Sequence, residues 1–392
     1  MINIIDKQKC TGCCACMNIC PNNCIEMNFD KEGFVYPCVN SDICIDCKLC
    51  EKNCPILYPL VSKYNYQKAY AVVNGDEKIR LQSSSGGFFT VVALDVIKSG
   101  GVVVGAKFTP DFQVEHAVVT SELELDELRG SKYVQSTIGN IYSDIKKYLD
   151  NGVKVLFTGT ACQIQGLKSF LGVSKYEQLL LCIDIICHGI PSPKVWQEYV
   201  KLRENRADSK ARRISFRSKC IGWKEFSVCF EFENGVVYSA TVNKDLFMRG
   251  FLKDIYLRPS CYSCKFKTQS RISDFTMADL WGADKIVPDM DDDKGLSLVI
   301  VQSEQGGLAF DRLKNKTCWR EISLEDAIKC NKAMVYSFAM PNKRIVFFQE
   351  LLHCSDVELL IHKCIKPHII RKIYLEIRHL GGYCLRKLGL LK

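Results

Sequence analysis

The sequence predicts an α+β protein of several domains, in which a small cysteine-rich module precedes an α/β domain with an antiparallel β insertion. Three observations predict this arrangement. Eleven of the 23 cysteines lie within the first 54 residues. From residue 69 to residue 186, apolar strand-like runs alternate with helical stretches. Further along, an Asn-Gly pair separates two short β-like runs, a pattern typical of a hairpin.

Composition places the chain among ordinary globular proteins. Its 392 residues suggest two or three domains, and 47% of them are hydrophobic and 25% charged. The polar start, residues 1–9, lacks the apolar core of a signal peptide, and the apolar run 179–187 is too short to span a bilayer. We therefore expect a cytoplasmic protein. Without an export signal, so many cysteines indicate metal binding rather than disulfides.

Two cysteine runs near the amino terminus follow the spacing C-x2-C-x2-C-x3-C-P. In this pattern three thiolates hold irons of one [4Fe–4S] cubane, and the fourth reaches the other cubane. The spacing assigns one cluster to Cys10, Cys13, Cys16 and Cys54, and the other to Cys44, Cys47, Cys50 and Cys20. Two zinc sites are the alternative, but the paired run is far more specific. Residues 1–60 are thus predicted to be a ferredoxin-type domain.

Three cysteines of this module fall outside the spacing. We expect Cys14, Cys24 and Cys38 to serve as small apolar residues. Two adjacent clusters pass electrons singly, so the rest of the chain should hold a group that performs two-electron chemistry. A flavin is the usual choice for that task.

The next part of the chain reads as an α/β domain with a mostly parallel sheet over residues 67–195. The patterns predict strands at 69–73, 102–106, 153–157 and 179–186, and helices at 88–97 and 138–149. A second part, residues 196–340, contains the predicted hairpin 226–241 and a C-x2-C pair. Residues 341–392 are predicted to form a basic helical tail.

A serine- and glycine-rich segment precedes the first helix of the α/β domain. Small residues, hydroxyls and a helix amino terminus suit a phosphate group, and Lys132 in the run 129–133 would add a cation. A plain loop with a helix cap, and a surface turn at Lys132, are the alternatives. The segment consists of Ser83, Ser84, Ser85, Gly86 and Gly87.

Four further cysteines pose an open question. Cys162 and Cys187 each follow a predicted strand, and Cys261 and Cys264 form the C-x2-C pair. If the four converge, they hold a third [4Fe–4S] cluster. Alternatively, Cys162 is buried or lies beside the flavin, Cys187 belongs to the core, and the pair carries no metal. Spacing alone leaves both interpretations open.

Taken together, these segments resemble the beta-subunit family of coenzyme F420-reducing hydrogenases and dehydrogenases, which includes a plant reductase of chlorophyll derivatives. One departure is Ala161, where the family often has proline. The resemblance covers roughly residues 69–303, and its segments come in the family's order: residues 83–87, 130–136 (GSKYVQS), 158–163 (TGTACQ), 187–193 (CHGIPSP), 258–266 and 279–282.

The resemblance implies a flavin, FAD or FMN, in the α/β domain, and it makes Cys162, Cys187, Cys261 and Cys264 ligands of a cluster near that flavin. The overall fold class is then a ferredoxin-like 2[4Fe–4S] module followed by an α/β flavin-binding domain with an antiparallel β insertion and a helical basic C-terminus. The flavin-binding residues are expected to be Ser83, Ser84, Ser85, Gly86, Gly87, Lys132, Thr160 and Gln163.

The leading hypothesis for function is a reductase. A low-potential donor such as ferredoxin reduces the clusters, electrons reach the flavin singly, and a hydride equivalent passes to an unknown organic acceptor. His188 would donate a proton, with a backbone-capping histidine as its alternative. The runner-up is a coenzyme F420-dependent dehydrogenase or hydrogenase subunit that sends electrons to a partner. A cluster-only electron carrier is the third hypothesis.

The chain carries a net charge of +9, much of it near its end. A solvated basic helix explains this pattern, and a docking face for an acidic redox partner or an anionic membrane surface is the alternative. Basic charge without a recognition motif does not support nucleic-acid binding. An oligomer is a further expectation. The eight cations between residues 361 and 392, against the single acidic residue Glu376, are Lys363, Lys366, Arg371, Lys372, Arg378, Arg386, Lys387 and Lys392.

Overall fold

A computed structural model describes residues 1–62, 67–172 and 175–366 of the chain. The amino-terminal module contains short elements only: helix α1 (Ala15–Asn18), strands β1 (Ile25–Phe29) and β2 (Val35–Val39), and helix α2 (Leu49–Lys52). β1 and β2 pair antiparallel. The cysteine-bearing loops and the two short helices surround this hairpin.

The remainder of the described chain contains eleven strands and twelve α-helices, besides short 3-10 helices. The strands are β3 (Lys68–Asn74), β4 (Val102–Phe108), β5 (Val114–Val119), β6 (Val155–Thr160), β7 (Leu180–Ile185), β8 (Ala211–Ser218), β9 (Ser227–Phe232), β10 (Val237–Thr241), β11 (Phe275–Asp279), β12 (Ser297–Val301) and β13 (Thr317–Ile322). The helices are α3 (Glu77–Gln82), α4 (Phe88–Lys98), α5 (Leu125–Leu128), α6 (Ile141–Asp150), α7 (Ala161–Leu171), α8 (Pro193–Ala207), α9 (Leu246–Leu252), α10 (Ala283–Ile286), α11 (Glu304–Leu313), α12 (Leu324–Cys330), α13 (Lys343–Leu351) and α14 (Val357–Ile365).

The predicted α/β elements are present, with bounds that agree within three residues. β-branched runs form the buried strands, as expected for a sheet covered on both faces. The Asn-Gly hairpin is also present, since β9 and β10 pair antiparallel around Asn234 and Gly235. Gly235 has a φ of +84°, which a tight hairpin turn requires.

Eight strands form the main sheet, in the order β13-β3-β12-β11-β7-β6-β4-β5. The prediction of a mostly parallel sheet is wrong. Only β4-β6, β6-β7 and β7-β11 pair in parallel, whereas the other four neighbouring pairs are antiparallel. The mixture arises because strands from residues 275–322 flank β3, so the sheet takes strands from both of the segments 67–195 and 196–340.

Successive side chains of the central strands point to opposite faces of this sheet. Val103 and Leu156 pack with α4 and α11 on one face, whereas Val104 and Phe157 pack with α6 and α7 on the other. The domain therefore has three layers. β3, β4, β6, β7 and β11 run in one direction, so their carboxyl ends meet at a single edge of the sheet.

The strands β10, β9 and β8 form a separate three-stranded sheet, and a second hydrophobic core packs against it. This aromatic core includes Trp196 from α8, Phe216 from β8 and Phe247 from α9, and it extends to α13 and α14. Phe34, at the tip of the β1–β2 hairpin, is fully buried in the same core. The amino-terminal module is thereby attached to this part of the chain.

Polar contacts reinforce that attachment. Glu32 beside the tip forms an ion pair with the buried Arg344 of α13, and the Glu32 carbonyl accepts a hydrogen bond of 2.5 Å from Ser192 Oγ. At Gly33 a β-carbon would lie 2.5 Å from Lys194 Cβ, so the hairpin tip meets the start of α8 closely. The module is thus held in one position against the main body.

The carboxy-terminal part is described only to residue 366. Within it, α13 and α14 are helical, as predicted. Of the predicted basic tail, Lys363 and Lys366 are described, whereas its other cations lie outside the described residues. A search of the described residues finds no helix with the length and apolar character needed to cross a membrane.

Candidate iron–sulfur and cofactor site

The first cysteine run lines a cavity together with a cysteine of the second run. Gly12 gives the loop its turn, with a φ of +69°, and the residue after the second cysteine, Cys14, has a left-handed backbone. Helix α1 then begins and carries the third cysteine. The cysteines of this first thiol set are Cys10, Cys13, Cys16 and Cys54.

The second cysteine run repeats the same backbone. Lys48 takes the left-handed conformation that Cys14 has in the first run, and α2 begins directly after it. The cavity beside it is also lined by Cys24, which the spacing did not assign. Its second thiol set comprises Cys20, Cys44, Cys47 and Cys50.

The structure therefore brings together the same eight cysteines, in the same two groups, that the spacing predicts. Which of them hold iron stays a prediction. The three leftover cysteines differ from one another: Cys14 is buried beside the first set, Cys24 is buried in the second cavity, and Cys38 is exposed. The expectation that all three serve as small apolar residues of the module is wrong for Cys38, because this side chain on β2 is exposed to solvent.

A third thiol set lines one further cavity. Its members come from four places: the first turn of α7, the loop after β7, the short 3-10 helix Pro259–Ser263 and the residue after it. The carboxyl ends of β6 and β7 bring the first two together. The members are Cys162, Cys187, Cys261 and Cys264.

Burial first, and then repulsion from the neighbouring thiols, raises the pKa values of Cys162, Cys187 and Cys261. Burial, followed by the neighbouring Cys261 and Cys264, raises the pKa of Cys187 to about 12. Burial likewise raises the pKa of Cys261 to about 11, although the Ile190 N–H donates to its Sγ over 3.4 Å. As free thiols they are protonated at neutral pH, and a bound metal group would displace those protons.

Two hydroxyls in the wall of the third cavity support the fit of a cluster there. Thr11 Oγ1 and Ser260 Oγ are buried, and neither finds a hydrogen-bond partner within the described part of the chain. Buried polar atoms normally have partners. Four thiols and two unpartnered donors suit a group with anionic sulfide acceptors. No group of three or more His, Cys, Asp or Glu side chains in the described ranges is spaced for a single metal ion.

The first and third thiol sets are neighbours. Thr11 lines both cavities. Burial, with smaller contributions from neighbouring thiols that include Cys162, raises the pKa of the Cys13 thiol to about 12. At Gly166 in α7, a β-carbon would lie 3.0 Å from Cys13 Cβ. Because α7 also carries Cys162, this close packing sets the separation between the two sets.

Arg258 stands between these two cavities. Its guanidinium donates to the Cys10 carbonyl over 2.8 Å, to Gln135 Oε1 over 3.0 Å and to the Val35 carbonyl over 2.9 Å. The side chain also lines the third cavity. Arg258 is the first residue of the family segment 258–266, and the sequence alone does not predict a role for it. No local spacing distinguishes such an arginine, since its partners come from residues far away in the chain.

The predicted phosphate segment lies on the same edge of the sheet. Gly86 approaches β3 and β12 so closely that a β-carbon would lie 2.3 Å from the Val72 carbonyl oxygen. Ser84 Oγ accepts a 2.7 Å hydrogen bond from the Ser131 N–H, which joins the segment to the run 129–133. Ser83 Oγ donates to the Ile79 carbonyl and Ser85 Oγ to the Leu296 carbonyl.

Lys132 is half-buried, and desolvation of its ammonium group lowers its pKa to about 7. Its ammonium group donates to the carbonyls of residues 127–130 at the end of α5. Two further cations meet the phosphate segment: Arg217 donates to the Ser84 carbonyl, and Lys219 donates to the Ser85 carbonyl over 2.7 Å. Sequence reasoning did not single out Arg217 and Lys219, because they come from β8 and the loop after it.

Thr160 and Gln163 form a capping box at the start of α7. Gln163 Oε1 accepts from the Thr160 N–H over 2.9 Å, and Gln163 Nε2 donates to Ser136 Oγ over the same distance. Thr160 Oγ1 also lies 3.1 Å from Cys162 Sγ. In this structure the pair orients Cys162, and its predicted part in flavin binding stays a prediction.

His188 directly follows Cys187. Its Nε2 lies 2.7 Å from Asp254 Oδ1, and its ring stacks on Phe338 with 4.4 Å between ring centroids. Phe251 meets the ring edge-on. A histidine held by a carboxylate has a defined tautomer and orientation, so the arrangement suits a proton-transferring residue as well as a structural one.

Comparison with known proteins identifies two regions of the chain. Residues 152–327 match the family described as the carboxy-terminal part of the beta subunit of coenzyme F420 hydrogenase/dehydrogenase. Residues 3–26 match the 4Fe-4S binding domain. An uncharacterized ferredoxin from Methanocaldococcus jannaschii is 35% identical over 52 residues, which are 13% of this chain and 66% of that protein, just under two thirds of its length.

Among solved structures, a chain of the F420-reducing [NiFe] hydrogenase complex from Methanosarcina barkeri is similar at 16% identity. The match covers 72% of this chain and 97% of that chain, with a TM-score of 0.45, too distant to support a conclusion about function. The two family matches make this an iron–sulfur protein of the oxidoreductase type. Residues 152–327 are thus similar to the carboxy-terminal part of the coenzyme F420 hydrogenase/dehydrogenase beta subunit, and residues 3–26 are similar to a 4Fe–4S binding domain.

Proposed function

We propose that the chain is an electron-transfer subunit that takes a hydride from reduced coenzyme F420 and passes the electrons singly to a partner protein. The observation that supports this is the row formed by the three thiol sets. Cys16 and Cys50, from the first and second sets, pack in one small core, and the first and third sets share Thr11. Three [4Fe–4S] clusters there would connect the surface of the module with the interior of the α/β domain.

The coenzyme, when bound, supplies a carbon centre that gives or takes a hydride, which is two electrons with one proton. The residues of this chain that would bind it lie between the phosphate segment and the third thiol set. Tyr133 and Phe251 pack with 5.2 Å between ring centroids, and Phe251 meets His188 at 5.0 Å. Flat rings of this kind stack well on a planar heterocycle. His188 would take up the accompanying proton at Nδ1, because its Nε2 donates to the Asp254 carboxylate.

A flavin, FAD or FMN, is part of this proposal as the group that links two-electron and one-electron chemistry. Its phosphates would lie against Ser83, Ser84, Ser85, Gly86 and Gly87, with Thr160 and Gln163 at the neighbouring helix start. A phosphate beside Lys132 would favour the charged ammonium group, whose pKa burial now lowers. In this structure the hydroxyls of Ser83 and Ser85 donate to backbone carbonyls. They would have to rotate away from those carbonyls to bind a phosphate.

The partner would dock where the second thiol set approaches the surface. Cys47 is exposed, and Ile45 beside it is 63% exposed. Electrons could also pass along the same row of thiols in the opposite direction. A donor such as ferredoxin would then supply electrons for an organic acceptor. That reductase is the second candidate, and it differs from the first in which donor reduces the clusters.

Anaerobically purified protein tests the proposal. Three cubanes require about twelve irons per chain and two require about eight. We expect reduced F420 to bleach the cluster absorption and Cys264→Ser to remove about four irons and that bleaching, whereas the exposed Cys318→Ser changes neither. Bleaching by reduced ferredoxin alone would favour the reductase. Absence of any bound organic cofactor and of any response to F420 would favour a cluster-only carrier.

A further inference from the structure

We infer that Cys24 is an alternative iron ligand to Cys20 in the second thiol cavity. This inference rests on the proposed iron–sulfur function and assigns a new residue to it. Cys24 Sγ lies 3.2 Å from Cys20 Sγ. Both thiols line the cavity that Cys44, Cys47 and Cys50 also line. Five thiols therefore surround a space for which one cubane requires four.

The chain between the two cysteines brings them together. After Cys20 and Pro21, Asn23 takes a left-handed backbone with a φ of +49°, and its N–H donates to the Cys20 carbonyl over 3.2 Å. Asn22 Nδ2 donates to the Ile43 carbonyl over 3.0 Å. This tight turn reverses the chain, so that Cys24 returns to the side of the cavity from which Cys20 enters.

The backbone of Cys24 is held firmly in that position. Its carbonyl accepts a 2.8 Å hydrogen bond from the Asn40 N–H, at the open end of the β1–β2 pair, and its own N–H donates to Cys20 Sγ over 3.4 Å. The side chain is 4% exposed and lies in the wall of the same cavity as the Cys44 thiol. Because Cys24 Sγ lies 3.2 Å from Cys20 Sγ, it would lie within reach of an iron that Cys20 holds.

The position of this fifth thiol, four residues after the last cysteine of its run, has no cysteine counterpart in the other run. In the other cysteine run, the residue four places after the last cysteine is Tyr58, which is 61% exposed. The extra cysteine beside the first cavity, Cys14, instead directs its Sγ to the Gly12 carbonyl over 3.4 Å. The two runs otherwise share spacing and backbone, so Cys24 is a departure from an internal repeat and not a consequence of it.

The exchange itself is balanced. The bond between iron and Cys20 sulfur breaks, a bond between iron and Cys24 sulfur forms, and the proton of the Cys24 thiol moves to the Cys20 sulfur. No electron is gained or lost. The cavity lined by this additional thiol is also the one lined by the exposed Cys47. A second thiol within 3.2 Å would keep the outer cluster whole when one ligand dissociates.

A set of serine variants tests the inference in the full chain, purified anaerobically. Cys20→Ser and Cys24→Ser should each keep the wild-type iron content, whereas the double variant should lose about four irons per chain, the number in one cubane. Cys20→Ser with Cys38→Ser is the matched double control, because Cys38 is exposed and lies outside the cavity, and it should keep its iron. Circular dichroism checks that each variant folds.

Electron paramagnetic resonance of the reduced protein provides a second readout. Cys20→Ser should keep the spin count of two reduced module clusters but change the line shape of one, because its ligand is now Cys24. Loss of about four irons in either single variant would overturn the inference. Wild-type protein with far fewer than about eight irons would instead overturn the proposed function, and the inference with it.

Discussion

Arg258 Nη2 lies 3.5 Å from Cys10 Sγ, and the same guanidinium borders the cavity of the third thiol set. Arg258 is 1% exposed, and no carboxylate forms an ion pair with it among the residues described. A buried cation normally has an anionic partner. Thiolates bonded to iron on either side of Arg258 would provide that negative charge.

Replacing Arg258 should therefore make reduction of the first cluster harder. Arg258→Gln removes a positive charge beside Cys10, so the midpoint potential should fall, by on the order of 60 mV for each ~1.4 kcal/mol of interaction lost in a one-electron step. Potentiometric titration followed by electron paramagnetic resonance measures the change. Arg258→Lys should recover part of it, and the exposed Arg320→Gln should change nothing. An unchanged potential in Arg258→Gln would assign Arg258 a purely structural role.

Gly12 should be indispensable for the first thiol cavity. Its φ is +69°, and a β-carbon there would lie 2.6 Å from Gln135 Nε2 and 2.9 Å from Arg258 Nη1. Gly12→Ala should lower the iron content and the melting temperature. Gly139→Ala is the matched control, because Gly139 also has a positive φ, +52°, but nothing lies within 4 Å of the added carbon.

Both alanine variants incur the left-handed backbone cost of about 1–2 kcal/mol, so the loss of iron in Gly12→Ala alone isolates the steric conflict at the cavity. Equal iron contents in the two variants would contradict this explanation.

The buried ion pair between Asp184 and Arg271 should be critical for stability. Asp184 is 1% exposed and also accepts hydrogen bonds from Ser273 Oγ over 2.9 Å and Thr276 Oγ1 over 2.6 Å. Asp184→Asn leaves a buried cation without its partner, at a cost of about 3–5 kcal/mol in the free energy of unfolding. Denaturant titration measures this.

The exposed pair of Glu325 and Lys329 in α12 provides the control. Glu325→Gln should have no measurable effect, because solvent screens such pairs. A melting temperature of Asp184→Asn equal to that of the wild type would show that Arg271 finds another partner.

Lys132 should make stability depend on pH. Burial lowers its pKa to about 7 in the folded chain, whereas an unfolded chain has a value near 10.4. Between these values the unfolded chain binds more protons at this position, so the free energy of unfolding should rise with pH from about 7 to about 10.

Lys132→Met should remove this contribution. Relative to the variant, the free energy of unfolding of the wild type should rise with pH by at most about 1.4 kcal/mol per pH unit in that window. Denaturant titrations at several pH values check it. Lys147→Met is the control, because Lys147 is exposed and its hydrogen bond with Asp144 raises its pKa. A constant difference across the window would mean that Lys132 keeps its proton when folded.

Much of the secondary structure could be predicted from local sequence. The alternation around residues 69–186 and the Asn234-Gly235 turn depend on neighbouring residues only. The parallel character of the sheet could not be predicted, because the antiparallel neighbours of β3 are β12 and β13, more than 200 residues further along.

The cysteine runs by themselves determined the grouping of eight thiols into two sets, because ligand spacing within a short loop is a local geometric property. Only the tertiary structure decided that Cys162, Cys187, Cys261 and Cys264 surround one cavity and that Cys24 lies beside Cys20. The physical reason is that strand ends meet at one sheet edge, and turns bring thiols together, through contacts between distant parts of the chain.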